Sequence, residues 1–221
     1  MTPENGLAEY RRRRDFSKTK EPKGTGTSKG TGTGTAREPE DRPSFVVQIH
    51  DATALHFDFR LEVDGVLKSW AVPKGPSSDP HDKRLAMPTE DHPLEYREFE
   101  GVIAEGEYGA GSVIIWVEGT YRNLSTGRGG TEIPFAEALA DGHASFWLDG
   151  RKLHGGYSLT RFRTADDDDD GAGDGRESWL LVKHADDRAS AKGTPDPWLA
   201  RSTRSRRTLR QVAEAGGGGP S

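Results

Sequence analysis

Leu55-His56-Phe57-Asp58-Phe59-Arg60-Leu61-Glu62-Val63, then Asp64-Gly65, then Val66-Leu67-Lys68-Ser69-Trp70-Ala71-Val72 is the stretch that decides the fold. Apolar and polar residues alternate through its first segment without a break, the period-2 signature of a half-buried strand. Leu55, Phe57, Phe59, Leu61 and Val63 share one face; His56, Asp58, Arg60 and Glu62 share the other. Asp-Gly is a favoured pair for a two-residue type I′ hairpin turn, because both central residues need positive φ. Counting outward from that turn sets Val63 against Val66, Phe59 against Trp70 and Phe57 against Val72, large apolar cross-strand pairs. On the polar face Arg60 falls opposite Ser69 and Asp58 opposite Ala71. Small neighbours there leave space beside an imidazole, a carboxylate and a guanidinium, which reads as a site rather than a wall.

His50 lies just upstream, giving H-x5-H-x-D-x-R across a strand, a turn and a strand. His50, His56 and Asp58 form a facial ligand set suited to Mn, Zn, Fe or Co, with positions left for water or substrate. Arg60, two residues on, can clamp a phosphate or carboxylate in a bidentate fork. A second reading stands beside this one: a solvated strand face carrying a surface ion pair.

The chain has 221 residues, 32% of them apolar, with 28 glycines, so the core must be confined to part of the sequence. No apolar run is long enough to span a bilayer and no signal-peptide pattern opens the chain, which predicts a cytoplasmic protein without membrane partners. The absence of cysteine excludes disulfides, thiolate metal sites and cysteine nucleophiles, leaving His and carboxylate to hold any metal. A net charge of −5 gives no global attraction to nucleic acid.

Residues 1–22, with Arg11 to Arg14, Asp15 and Glu21, form a charged N-terminal arm, and residues 23–42 a Gly/Thr-rich linker too poor in apolar groups to order itself. A β domain over residues 43–194 is expected next, then a mobile basic and Gly-rich tail over residues 195–221. Within the domain, Pro73 to Pro80 is a loop, Lys83 to Met87 a short strand, and Glu90 to Tyr96 an extended or turn segment dense in titratable groups. Arg84, Glu90, His92 and Tyr96 could supply an anion clamp, a base and an acid. Glu105 to Gly111 reads as a tight turn; it lacks the lysine and setting of a phosphate-binding loop. Ser112 to Val117 is apolar on both faces, an inner strand. Pro134 to Asp141 is a short helix ended by Gly142. His143 to Leu148 and Leu153 to Arg163 form a second hairpin about Asp149-Gly150, the acidic run Asp166 to Asp170 is a loop, and Ser178 to Lys183 is the last strand. His143, His154 and His184 read as structural or exposed. Arg201 to Arg210 suggests a weak polyanion contact. The fold class is mainly β, a compact antiparallel barrel or sandwich with one or two short helices and flexible tails, its site on a concave polar sheet face.

Phe45-Val-Val-Gln-Ile-His50-Asp-Ala, Leu55-His56-Phe-Asp58-Phe-Arg60-Leu, Leu67 to Pro76, Glu90-Asp-His92-Pro-Leu-Glu-Tyr96, Phe99-Glu-Gly-Val-Ile and Glu105 to Gly111 together resemble the 3′-phosphoesterase module of bacterial DNA ligase D. Arg14-Asp15-Phe16 with Thr19 and Glu21-Pro22 resembles the leading motif of that family. The resemblance implies a Mn²⁺-dependent enzyme on a β-barrel, other divalent transition metals being alternatives. It would act on DNA 3′ ends of a primer-template, removing a terminal ribonucleoside to leave a 3′-phosphate and then hydrolysing that phosphate to 3′-OH. It implies His50, His56 and Asp58 as metal ligands, and Arg60, His92, Arg84, Lys74, Glu90 and Tyr96 as phosphate-contacting or proton-handling groups. Arg14, Asp15 and Glu21 would contribute from the arm. His92 is either the acid for the leaving oxygen or a group that orients the phosphate. No ligase or polymerase sequence accompanies the module, so a stand-alone form meeting a separate ligase or polymerase in trans is expected. The arm is expected to be mobile until substrate orders it, and its removal to leave stability nearly unchanged. Rival readings are a cupin-like metalloenzyme acting on a small phosphorylated molecule, and a non-catalytic nucleic-acid-binding barrel.

Overall fold

The computed structural model describes residues 6–24, 42–163 and 177–216. Most of the Lys23–Arg42 linker and the Asp166–Asp170 run lie outside the described residues. The strands are β1 (Ser44–Asp51), β2 (Leu55–Val63), β3 (Val66–Val72), β4 (Lys83–Pro88), β5 (His92–Pro93), β6 (Gly101–Ile103), β7 (Gly111–Asn123), β8 (His143–Gly150), β9 (His154–Arg163) and β10 (Ser178–Lys183). Among the described residues three short helices accompany them, α1 (Ala8–Arg12), α2 (Phe135–Ala140) and α3 (Leu209–Ala215), with a 3₁₀ turn at Leu94–Glu98.

Strands β1-β2-β3-β4-β10-β9-β8-β7 hydrogen-bond in that order, and β7 pairs back onto β1, closing an antiparallel barrel of eight strands. Closure leaves those strands no edge for another chain to add to. The β2–β3 register is the one the turn dictates: Phe57 faces Val72, Phe59 faces Trp70 and Val63 faces Val66. Asp64 and Gly65 both have positive φ, 49° and 84°, as a type I′ turn requires. The apolar residues of β2 point inward, where Phe59 is wholly buried and stacks obliquely on Phe146 of β8, ring centroids 5.9 Å apart. Burying such rings in one cluster that draws on all eight strands supplies the main driving force for the fold.

The second hairpin differs in one detail from its sequence reading. Asp149-Gly150 is not the turn; Asp149 pairs with His154 inside the ladder, and residues 151–153 make the connection. Gly150 serves packing instead, since a Cβ there would lie 2.6 Å from Phe45 Cζ. The Glu105–Gly111 segment is a turn as expected, with Gly106 and Gly109 at positive φ.

The larger differences lie at the two ends of the chain. The arm, expected to be mobile, packs on the outer wall of the barrel against β3, the 3₁₀ turn and the Glu90–His92 segment. Tyr10 is wholly buried, in a small apolar cluster with Leu67, Tyr96, Phe99, Ile103 and Val113. The tail, also expected to be mobile, lies along β7: Thr203 N–H donates to the Ile115 carbonyl at 2.8 Å. Leu209 and Val212, three apart on one face of α3, are buried, and Thr208 and Gln211 close a capping box at its start. Three of the tail arginines are paired within the protein, Arg204 with Glu118, Arg207 with Glu100 and Arg210 with Glu214. Each end offers only two or three apolar groups, too few to register as an amphipathic segment, yet each meets a complementary surface built from distant strands. The polar face of β2 is likewise not an open concavity. It is the outer face of the barrel wall, roofed by the arm and the 3₁₀ turn, and Asp58 and Arg60 are buried beneath them.

Candidate active site

Strand alternation puts Gln48 and His50 of β1 on the same outer face as His56, Asp58 and Arg60 of β2. Gln48 is the cross-strand partner of Asp58, and His50 of His56. The two imidazole centroids lie 4.9 Å apart. His50 Nδ1 is 3.5 Å from Asp58 Oδ2 and His56 Nε2 is 3.6 Å from Asp58 Oδ1. One donor atom from each of the three residues falls within 4.8 Å of the others, forming a possible metal-binding triad.

The far side of each ring decides what the near side can do. His50 Nε2 is 2.8 Å from the Gly109 carbonyl, and His56 Nδ1 is 2.8 Å from the Ala54 carbonyl. A carbonyl only accepts, so those nitrogens carry the N–H, and in the neutral rings His50 Nδ1 and His56 Nε2 present lone pairs toward the carboxylate. Two lone pairs and a carboxylate converging on one point require a proton or a cation between them. Outer nitrogens pinned by backbone carbonyls are the usual support of a histidine-ligated metal. The residues therefore fit a divalent ion. Burial works against ionised Asp58, but Arg60 and then His50 and His56 outweigh it and hold its carboxyl well below the usual range. Burial likewise works against charge on His56, and Asp58 overcomes it, raising the His56 pKa.

Arg60 is buried and held on three sides: Nε donates to Gln48 Oε1 at 2.8 Å, Nη1 to Ser69 Oγ at 2.9 Å and Nη2 to Asp58 Oδ2 at 2.9 Å. Its guanidinium lies 4.8 Å from the centre of the Tyr96 ring. A guanidinium has five N–H donors, so one remains on each terminal nitrogen. Gln48 in turn donates to the Tyr96 and Phe99 carbonyls. Sequence reading passed over Gln48 and Tyr10; the signal for Gln48 was present, since it stands two residues before His50 on the same strand face.

His92 follows the β4–β5 loop. Its Nδ1 lies 2.8 Å from the Glu90 carbonyl, and its Nε2 lies 3.3 Å from Arg14 Nη2. Burial, then the charges of Arg60 and Arg14, push its pKa well below the ordinary histidine value. The ring is neutral, with Nδ1–H donating to Glu90 and Nε2 accepting from Arg14. Arg14 also pairs with Glu21 at 2.9 Å and Glu90 at 3.0 Å, with the Tyr10 ring 3.9 Å from its Cζ. Burial, then Glu21, raise the Tyr96 pKa well above its usual value, so its phenol stays protonated.

The structure thus gathers His50, His56, Asp58, Arg60, His92, Tyr96, Glu90, Arg14 and Glu21 into one connected network. It places three others apart. Asp15 is at the surface, where its carboxylate accepts from Ser17 N–H and Oγ and closes a turn of the arm. Lys74 is exposed on the β3–β4 loop. Arg84 shares a face of β4 with the buried Ala86, and its Nη2 pairs with Asp82 at 2.7 Å.

A profile of the DNA Ligase D 3′-phosphoesterase domain matches residues 48–161. The multifunctional non-homologous end joining protein LigD of Pseudomonas aeruginosa is 46% identical over 215 residues, covering 92% of this chain and 22% of that protein. The multifunctional non-homologous end joining DNA repair protein LigD of Mycobacterium tuberculosis is 47% identical over 155 residues, 70% of this chain and 18% of that protein. The chain spans about a fifth of the length of these two curated relatives.

Proposed function

Because the chain belongs to the DNA ligase D 3′-phosphoesterase domain family, we propose that it is a Mn²⁺-dependent phosphoesterase that heals DNA 3′ ends for end-joining repair. It removes a 3′-terminal ribonucleoside and then the remaining 3′-phosphate, delivering a 3′-OH that a ligase or polymerase, attached or in trans, can use. The observation that carries this reading is the convergence of the His50 Nδ1 and His56 Nε2 lone pairs on Asp58, beside a buried arginine with donors to spare.

The ion would be held by His50, His56 and Asp58; when bound it supplies Lewis acidity to a phosphate oxygen and lowers the pKa of a water. The chain's own residues do the rest. Arg60, rigid on Gln48, Ser69 and Asp58, offers its two remaining N–H groups to the non-bridging oxygens, where charge accumulates in phosphoryl transfer. Arg14 holds His92 Nε2, and Glu21 and Glu90 hold Arg14. A neutral His92 with Nδ1–H committed to a carbonyl has no proton to give from Nε2. We therefore assign it to holding Arg14 in place, and through Arg14 to orienting the phosphate, rather than serving as the resting acid. Tyr96 remains a neutral phenol under the guanidinium. Lys74, exposed on the β3–β4 loop, is assigned to a flanking phosphate of the strand, Arg84, paired with Asp82 on the face of β4 that carries Ala86, to holding that loop, and Asp15 to shaping the arm.

The test is incubation with primer-template DNA ending in a 3′-phosphate or a single 3′-ribonucleotide, with and without Mn²⁺. Conversion to 3′-OH that requires the ion is expected. Binding without turnover in any of Mn²⁺, Co²⁺ or Zn²⁺ would make this a nucleic-acid-binding barrel. Turnover of a small phosphorylated molecule but not of DNA ends would move it to the cupin-like class.

A further inference from the structure

The roof over the site leaves one aromatic ring in the open. Among the described residues Tyr108 is 47% exposed, and it sits in the Gly-rich turn whose next residue supports the site: the Gly109 carbonyl meets His50 Nε2 at 2.8 Å. A Cβ on Gly109 would lie 3.5 Å from His50 Cε1, so the turn is in van der Waals contact with a proposed ligand ring. From the other side the arm brings two guanidinium groups to Tyr108. Arg13 Cζ is 4.8 Å and Arg14 Cζ 5.7 Å from the ring centre, and Arg13 Nη1 donates to the phenol oxygen. Both guanidinium groups are already paired with carboxylates, Arg13 with Glu9 and Glu90 and Arg14 with Glu21 and Glu90, so they fix the ring in place. The half-open ring face adjoining the proposed phosphate site is the kind of surface on which a base of single-stranded nucleic acid stacks. The Gly106 and Gly109 backbone, both at positive φ, fixes the turn that carries it.

We propose that Tyr108 is a stacking platform for an unpaired nucleobase at the 3′ end of the substrate strand, and so a specificity residue for nucleic-acid ends over other phosphate esters. This rests on the 3′-end reading above and adds the group that recognises a base. The phenol's bond to Arg13 gives Tyr108 a possible second role, anchoring the arm, and the variants separate the two: Phe keeps the ring and loses that bond, whereas Ala loses both.

The experiment measures binding of fluorescein-labelled oligonucleotides to full-length protein by anisotropy in EDTA, so that hydrolysis plays no part. One probe carries bases throughout and its twin is abasic at the last two nucleotides. Turnover of a 3′-phosphate end with Mn²⁺ is measured alongside. Tyr108→Ala should bind the base-bearing probe about five- to 150-fold more weakly and the abasic probe as wild type does. Tyr108→Phe should match wild type on both. With Mn²⁺, Tyr108→Ala should raise KM for the base-bearing end more than it lowers kcat. Equal binding by Tyr108→Ala and wild type, equal losses on both probes, or a Phe variant as weak as the Ala variant would each overturn the proposal. If wild type hydrolyses neither end yet the base-dependent binding difference persists, the catalytic reading fails and the platform stands.

Discussion

Phe59 and Tyr10 are both wholly buried aromatic side chains, and they are held in place by different kinds of neighbour. Phe59 lies inside the closed barrel, fixed by a strand whose backbone is paired on both sides, by Trp70 opposite and by Phe146 across the interior. Tyr10 lies outside, on a helix of five residues, and owes its burial to the 3₁₀ turn, His92 and Arg14, with its hydroxyl on the Pro22 carbonyl at 2.7 Å. A helix that short does not persist alone. The interior is one cooperative unit. The roof, a terminal segment on a helix too short to stand alone, is expected to open locally, and it holds Arg14 and Glu21 over the candidate site. Stability is thus concentrated in one layer and the candidate chemistry is made at its boundary with the other.

The largest expected effect falls between the two layers. His56→Ala should abolish hydrolysis of 3′ ends, a loss well beyond the roughly 10–100-fold of groups that only orient a ligand. Its melting temperature without metal should stay near wild type at the alkaline end of the pH range, where His56 contributes no charge, because His56 faces outward and fills no part of the core. Mn²⁺ titration by calorimetry on the folded variant is the direct check. Wild-type-like turnover or Mn²⁺ affinity would remove His56 from the metal site.

Within the interior, Phe59→Ala should cost about 3–5 kcal/mol of unfolding free energy, read from denaturant melts. Unfolding should remain a single transition with the slope of wild type. Melting like wild type would mean that Phe59 is not a core residue and that the β2 register is wrong.

For the roof, Tyr10→Ala should cost less, about 1.5–3 kcal/mol for uncovering one aromatic side chain, and the cost should be local. Hydrogen exchange should show the amides of residues 8–22 losing protection while β1, β2 and β7 keep theirs. Turnover should fall with the arm's protection, because Arg14 then leaves His92 and Glu90. Barrel amides that deprotect in step with the arm would erase the distinction between the layers; kinetics that stay unchanged would leave the arm structural only.

This contrast also explains what the sequence could reveal. Period-2 alternation and the Asp64-Gly65 turn are local signals, and they carried the hairpin, its register and the outward set His50, His56, Asp58 and Arg60. The same alternation would have yielded Gln48. The roof has no such signal. Arg14 meets Glu90 across 76 residues and Arg13 meets Tyr108 across 95, so the arm reads as a charged tail until the surface it fits is present. The tail is similar, since Leu209 and Val212 become a hydrophobic face only where β7 receives them. Asp149-Gly150 misled in the opposite direction, because a turn-like dipeptide was serving the packing of Phe45.

The smallest effect expected is a dependence of stability on pH in the metal-free protein, and it again sets the roof against the wall beneath. His92 is buried and neutral with its pKa well below the unfolded value near 6.5. Below pH 6.5 the unfolded chain therefore binds a proton that the folded one refuses, and stability falls as pH falls. The slope from this one group is at most about 1.4 kcal/mol per pH unit. His56 acts in the other window. Its folded pKa is raised, so its contribution is fully present below about 6.5 and is lost as pH rises through the folded value. In metal-free protein His92 should thus lower stability as pH falls below 6.5 and His56 should lower it as pH rises through its folded value, with the steeper change on the acid side. His92→Asn should flatten the acid limb between pH 5 and 6.5 and leave the alkaline limb in place. His56→Ala should do the reverse. Thermal melts across pH 5–8 on the three proteins decide it, and an acid limb that survives in His92→Asn would mean that another group, not the histidine under the arm, takes up the proton.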